Sequence, residues 1–191
     1  MTTVAAQRLN ADGRATLLAH FLALPARDRC LRFGTALAPS AIANYVNRID
    51  FDRDAVFGVH DDRLAVVAAA HVAFEDGVAE LGLSVLPEHR SRGVGGALFE
   101  RAMAHARNRC IRRFFMHFLV RNEPIMRIAR RFGMHIVTRA DEADAHLELP
   151  PASPASVAGE FVTDSLAACD RALTALAAAW KRQTRTGTHY G

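Results

Sequence analysis

The chain has 191 residues, half of them hydrophobic and 23% charged, which suits one globular domain and excludes a disordered or collagen-like chain. Its 24 basic against 20 acidic residues rest almost wholly on arginine, since Lys181 is the single lysine, and eleven arginines fall between Arg90 and Arg131. Such clustering suits a phosphate-bearing partner or a solvated basic face. A nucleic acid is not expected, because aromatics are only 7% and form no ladder among the arginines to stack bases. Apolar runs such as residues 64–70 stay far below the roughly 18 residues of a membrane span, so no membrane partner is expected. Residues 1–9 carry Gln7 and Arg8 where a secretory leader would be apolar. Cys30, Cys110 and Cys169 lie far apart with no CxxC pair, so we expect reduced thiols, a cytoplasmic setting and no metal.

Hydrophobic periodicity predicts a weak strand over residues 4–9 and a helix from an Asp12 N-cap to Leu24, stopped by Pro25. Pro39 and Ser40 open a second helix over 41–48. Three strands follow, 55–60, 64–74 and 78–86, separated by the turn signals Asp61-Asp62 and Glu75-Asp76-Gly77. Pro87 ends the third, and Gly93 begins an amphipathic helix to about Arg109 whose stripe of Leu98, Phe99, Ala102, Met103 and Ala106 reads as core. Cys110 closes that apolar face and reads as packing. Residues 114–120 form an apolar strand, 123–132 a short helix ended by Gly133, and 135–138 and 145–149 two closing strands. This order defines an α/β (α+β) fold around a mixed, mostly antiparallel sheet flanked by helices, with an extra C-terminal helix. We therefore divide the chain into a domain over 1–150, a proline-rich linker over 151–159, and a helix with a polar tail over 160–191.

In that last helix Val162, Leu166, Cys169, Leu173, Leu176 and Trp180 are spaced 4, 3, 4, 3 and 4 apart, a heptad-like stripe. It suits either docking onto its own domain or a homodimer formed through this helix.

Chemistry concentrates where the third strand meets the long helix: Arg90-Ser91-Arg92-Gly93-Val94-Gly95-Gly96-Ala97. Glycines let backbone approach a ligand, and a helix's first turn leaves N–H groups unpaired at the positive end of its dipole. That is an anion site, with Arg90 and Arg92 as charge-assisted donors beside it. A P-loop is excluded because no lysine stands here, and a dinucleotide fingerprint fails because Leu98 occupies the last glycine position.

Arg90-x-x-Gly93-x-Gly95 resembles the acyl-coenzyme-A pyrophosphate loop of the GNAT superfamily of N-acetyltransferases. Val85-x-Pro87 precedes it, and Asn122-x-x-Ile125-x-x-Ile128 with Phe132-Gly133-Met134 forms a second match downstream. The resemblance implies acetyl-CoA as co-substrate, held by residues 90–97, by backbone amides of Ser84, Val85 and Leu86 along the pantetheine arm, and by Asn122. One of those amides would also polarise the thioester carbonyl. Asp28-Arg29-Cys30-Leu31-Arg32-Phe33, Ile49-Asp50-Phe51-Asp52-Arg53-Asp54 and Ala79-Glu80-Leu81 further resemble the catalytic domain of Pat-type bacterial protein lysine acetyltransferases, here as that module standing alone.

Acyl transfer needs a neutral amine, and a lysine of pKa about 10.4 is only about 0.1% deprotonated near neutrality, a cost of roughly 4 kcal/mol. The resemblance assigns the general base to Glu80, which burial between Val78 and Leu81 would make a stronger base. Many superfamily members carry a tyrosine seven residues after the asparagine to protonate the thiolate; here that position is Ala129. His71, His117 and His135 read as strand residues satisfied within the fold, and Arg127, Arg130 and Arg131 as a solvated face or a contact to the coenzyme's 3′-phosphate. The expected acceptor is a protein lysine. Alternatives are a small amine, or a non-catalytic acyl-CoA sensor.

Overall fold

The computed structural model describes residues 5–186. Seven strands form one sheet in the order β1-β2-β3-β4-β5-β7-β6: β1 is Gln7–Leu9, β2 Ala55–His60, β3 Val66–Glu75, β4 Val78–Val85, β5 Arg113–Leu119, β6 His135–Arg139 and β7 Glu142–Glu148. Every neighbouring pair is antiparallel except β4–β5, which is parallel. Helices α1 (Arg14–Ala23), α2 (Ala26–Phe33) and α3 (Pro39–Arg48) precede β2; α4 (Val94–Asn108) follows β4, α5 (Glu123–Arg131) follows β5, and α6 (Pro154–Thr186) closes the chain.

The two faces of the sheet carry separate cores. One is built from Phe57, Leu81, Leu83, Leu98, Phe99, Phe114 and Ile125 among others, beneath α4 and α5. The other joins Leu17, Phe21, Ile42, Val46, Val56 and Ala69 beneath α1 and α3. The alternation of β4 follows from this: Ala79, Leu81 and Leu83 enter the first core, so Glu80, Gly82 and Ser84 fall on the face toward α1–α3.

Several boundaries depart from the sequence reading. Asp12 caps nothing; it lies in a 3-10 turn, Ala11–Gly13, and α1 starts after Gly13 without a side-chain cap. Helix α2 was not anticipated, because its arginine-rich sequence buries no residue fully and so carries no apolar stripe. Strand β3 starts at Val66, since the Asp61 carboxylate accepts from the amides of Arg63 and Ala65 and lengthens the turn. Leu86 lies just past β4. Residue 4 of the weak first strand lies outside the described residues, as does the end of the polar tail.

Helix α6 begins at Pro154, inside the segment read as linker, and docks by its polar side. Arg101 on α4, only 7% exposed, donates to Glu160 at 2.8 Å and to Asp164. His105 and Asn108 each reach Glu160 at 2.6 Å, and two turns further along α6 Ala167 is buried. The apolar stripe is therefore not the docking face: Val162, Leu166, Leu173 and Leu176 are 55–67% exposed. Burial alone would raise the Glu160 carboxyl, but hydrogen bonds from His105 and Asn108 and the charges of His105 and Arg101 hold it down to about 2. A carboxyl depressed in the folded state stabilises docking above its ordinary value of 4.5 and loses that contribution as pH falls toward 2. Acidification through that window should loosen α6, and Glu160→Gln should do so at pH 7, read as faster amide exchange in 154–175 with exchange in β2–β4 unchanged.

Candidate active site

The parallel pairing of β4 with β5 lasts for only Val78↔Arg113, Ala79↔Phe114 and Glu80↔Phe115. Beyond Glu80 the strands part, while β4 stays paired to β3 and β5 to β7. The gap is lined on both sides and divides into two clefts. One, of roughly 420 Å³, is bounded by the end of β4, the loop and first turn of α4, the C-terminal part of α2 and one side of α5. The other, of roughly 560 Å³, lies between Glu80–Leu83 and Met116–Leu119, closed by Arg32, Phe33, Leu37 and Tyr45. Leu31, Arg32 and Leu83 line both and mark their junction.

The first cleft contains Ser84, Val85, Arg90, Ser91, Gly93, Val94, Gly95, Gly96 and Asn122 of the residues predicted for the coenzyme, but not Leu86, Arg92 or Ala97. The reasons are local. Ala97 N–H already donates to Gly93 O at 3.0 Å, so the unpaired first-turn amides are those of residues 94–96. Leu86 N–H donates to Val67 O at 2.9 Å. By the two-residue alternation of an antiparallel ladder, the Ser84 amide then also faces β3, while those of Leu83 and Val85 face the gap. The main-chain donors expected over 84–86 are thus Leu83 and Val85. Arg92 is exposed outside the cleft.

Three predicted contributors have other work. Arg90 donates to Asp28 at 2.6 Å and to Val85 O at 3.0 Å, strapping α2 to the loop, so much of its charge is answered within the protein. The Ser84 hydroxyl donates to His20 Nε2 at 2.8 Å, while His20 Nδ1 donates to Val66 O. Burial, with some help from Arg32 and against the Val66 bond, pushes His20 down to about 4, so it is a neutral imidazole that ties α1 to the sheet. Asn122 is 6% exposed; its Oδ1 accepts from Ile125 N–H and caps α5, and its Nδ2 donates to Leu31 O at 3.2 Å. It holds α5 and α2 together across the cleft.

The glycines differ in purpose. A Cβ on Gly95 would meet Ile128 Cδ1 at 3.0 Å, so this residue lets α4 and α5 pack closely. Gly93 has open space around it but φ of +78°, and with Ser91 at +60° it turns the loop so that the next amides face the cleft. Arg127 and Arg131 line the cleft from α5, whereas Arg130 is exposed outside it.

Glu80 lines the second cleft and is exposed, so the burial expected from Val78 and Leu81 is absent. Ala129, at the position of the missing tyrosine, is completely buried and lines neither cleft. Sequence reasoning gave Arg32 and Tyr45 no role at the clefts, and read His117 as a strand residue satisfied within the fold. A Cβ on Gly82 would lie 2.3 Å from the Arg32 guanidinium, which stacks over Phe33 at 4.9 Å and also meets Phe21 and Tyr45. His117 donates to Asp144 at 2.8 Å, and that bond raises its pKa above the ordinary histidine value.

Residues 26–134, more than half of the chain, match the family model of the acetyltransferase (GNAT) family, and the chain belongs to that family. It is an acetyl-CoA-dependent N-acetyltransferase, an acyltransferase. The fold is similar to the GNAT domain of S. lividans PAT (TM-score 0.64, 19% identity, covering 75% of this chain and 89% of that one). It is also similar to the spermidine N-acetyltransferase of Vibrio cholerae in complex with CoA and spermine (0.63, 13%, 78% and 96%). A third is the phosphinothricin acetyltransferase of Sinorhizobium meliloti in complex with AcCoA (0.61, 16%, 78% and 95%). No curated protein matches the chain.

Because a Cβ at position 93 meets nothing within 4 Å, Gly93→Ala isolates backbone strain. It should cost about 1 to 2 kcal/mol and lower Tm by roughly 2–8 °C. A thermal melt without ligand checks this.

Proposed function

We propose that the chain transfers acetyl from acetyl-CoA to a protein lysine in a cytoplasmic setting, by direct attack with Glu80 as general base. The observation that carries this reading is the position of Glu80, on the last paired residue of β4, where the strands part and the second cleft begins. The pyrophosphate would lie on the amides of residues 94–96 beside Ser91 and Gly93, with Arg127 and Arg131 near further phosphate. The pantetheine arm would lie along the open edge of β4, taking hydrogen bonds from Leu83 and Val85, and the thioester would reach the junction near Arg32. The second cleft would receive the acceptor. Glu80 and Glu142 suit an ammonium group there, and Phe33, Leu37, Met116 and Leu119 suit the methylene stem behind it.

A small amine is the second reading, favoured by the same two carboxylates; the fold-similar Vibrio cholerae enzyme is a spermidine N-acetyltransferase. Labelled acetyl-CoA incubated with a panel of purified proteins, free lysine and polyamines separates the two. Label in protein lysines supports the first reading, and label only in small amines replaces it. Acetyl-CoA should raise Tm by binding the native state preferentially. Glu80→Gln should keep that rise while lowering kcat about 100-fold or more; unchanged turnover removes Glu80 from the role.

The exposed heptad-like stripe of α6 supports a homodimer formed through that helix. Light scattering should give a dimer mass, and Leu166→Glu with Leu173→Glu should give a monomer of unchanged helicity.

A further inference from the structure

Acetyl transfer to an ammonium group, the reading on which this inference rests, removes two protons from the acceptor nitrogen. The first converts ammonium to the attacking amine; the second leaves the tetrahedral adduct as it collapses to the amide. A single carboxylate at Glu80 holds only one of them. The second cleft has another polar wall. Tyr45 on α3 lines it, and its phenol oxygen lies 2.7 Å from His71 Nδ1 on β3. His71 Nε2 lies 3.0 Å from Asp54 Oδ2, and Asp54, 3% exposed, binds Arg53 through its other oxygen at 3.2 Å. Arg32, seated over Gly82, donates to the Tyr45 oxygen at 3.0 Å.

The proton positions follow from these partners. A carboxylate only accepts, so His71 carries its hydrogen on Nε2 and presents a bare Nδ1. Tyr45 must therefore donate its hydroxyl hydrogen to Nδ1. One lone pair of the phenol oxygen is taken by Arg32, and the other can accept a hydrogen from the cleft. The result is an acceptor at the cleft wall wired to a partly buried imidazole, with a buried carboxylate behind it.

We propose that Tyr45, His71 and Asp54 form a proton relay for the second deprotonation, with Tyr45 as a further catalytic residue and His71 and Asp54 as positioning residues behind it. After the N–C bond has formed, the nitrogen's proton passes to the Tyr45 oxygen while the phenolic hydrogen passes to His71 Nδ1. The C–S bond breaks and its electron pair leaves on the coenzyme sulfur. Ammonium plus thioester thus become amide plus thiolate, with one proton on Glu80 and one on His71, where Asp54 faces the imidazolium.

The surroundings keep His71 ready to accept. Burial lowers its pKa, the Asp54 hydrogen bond and charge oppose this, and the charges of Arg32 and Arg53 lower it further. Tyr45 from α3 and Glu80, a same-face diagonal neighbour on β4, complete the titratable groups around it. In wild type the acid limb of kcat should thus fall below about pH 6.5.

Tyr45→Phe keeps the edge-on packing against Phe21 and Phe33 and removes only the hydroxyl. With the amine that the labelling panel yields, we expect kcat to fall about 100-fold or more, the acetyl-CoA thermal shift to persist, and the part of the acid limb that depends on His71 to disappear. His71→Gln should lose a similar factor, and the double variant should be no slower than either single one, because the groups act as a unit. Loss of activity in Tyr45→Phe with Glu80→Gln still active supports the relay and removes Glu80. An active wild type, an impaired Glu80→Gln and a Tyr45→Phe within twofold of wild type, or changed only in KM, overturn the relay alone. If the wild type labels no amine, the acetyl-transfer reading and the relay fall together. Independently of any acceptor, a ¹⁵N spectrum that places the His71 hydrogen on Nδ1 overturns the relay.

Discussion

Everything at the site depends on the three-residue limit of the β4–β5 pairing. A sheet that stayed paired to the end of β4 would have spent the main-chain groups of Leu83 and Val85 on β5, leaving no edge for an extended ligand. With the Val85 carbonyl taken by Arg90, parting after Glu80 leaves the amides of Leu83 and Val85 facing a cleft. Their desolvation cost is met only by water or by something strand-like lying between them. The same parting separates the walls enough to open the second cleft at the opposite end. One interruption of a ladder thus opens both clefts and places their junction close to the last residue paired with β5.

Around that interruption the protein fixes its walls with polar side chains that answer one another across elements. Asn122 joins α5 to α2, Arg90 joins the α4 loop to α2 through Asp28, and His20 joins α1 to β4 through Ser84. Arg90 and Asn122, expected to touch ligand by side chain, and Ser84, expected to do so by its amide, have their side chains engaged chiefly in positioning the cleft walls. Helix α2 is the common recipient of two of these ties, although it buries none of its own residues fully. It is held over the clefts by charge and hydrogen bonds more than by apolar packing.

Most of the fold was legible because its signals are local. Pro87, Gly93 and Gly133 mark ends that a chain cannot ignore, and the stripe of Leu98, Phe99, Ala102 and Ala106 states its own face. The loop and first turn of α4 were legible for the same reason, though the unpaired amides there are those of 94–96, because Ala97 N–H is taken by Gly93 O. What escaped is non-local. No period in Ala26–Phe33 reveals that Arg32 will stand over Gly82, and nothing near His71 reveals Tyr45 and Asp54, 26 and 17 residues away. Helix α6 misled in a different way: its apolar stripe was easy to find, but the docking face was the polar one, chosen by Arg101, His105 and Asn108 on a helix distant in sequence.

The contact between Arg32 and Gly82 ties the histories of two distant positions. The guanidinium is the mobile end of its side chain and borders both clefts, so a methyl group at 82 would displace it and cost its contacts with Phe21, Phe33 and Tyr45. The cost of alanine at 82 therefore depends on which residue stands at 32. The pair is epistatic, and the order in which its members change sets what each step costs a drifting lineage.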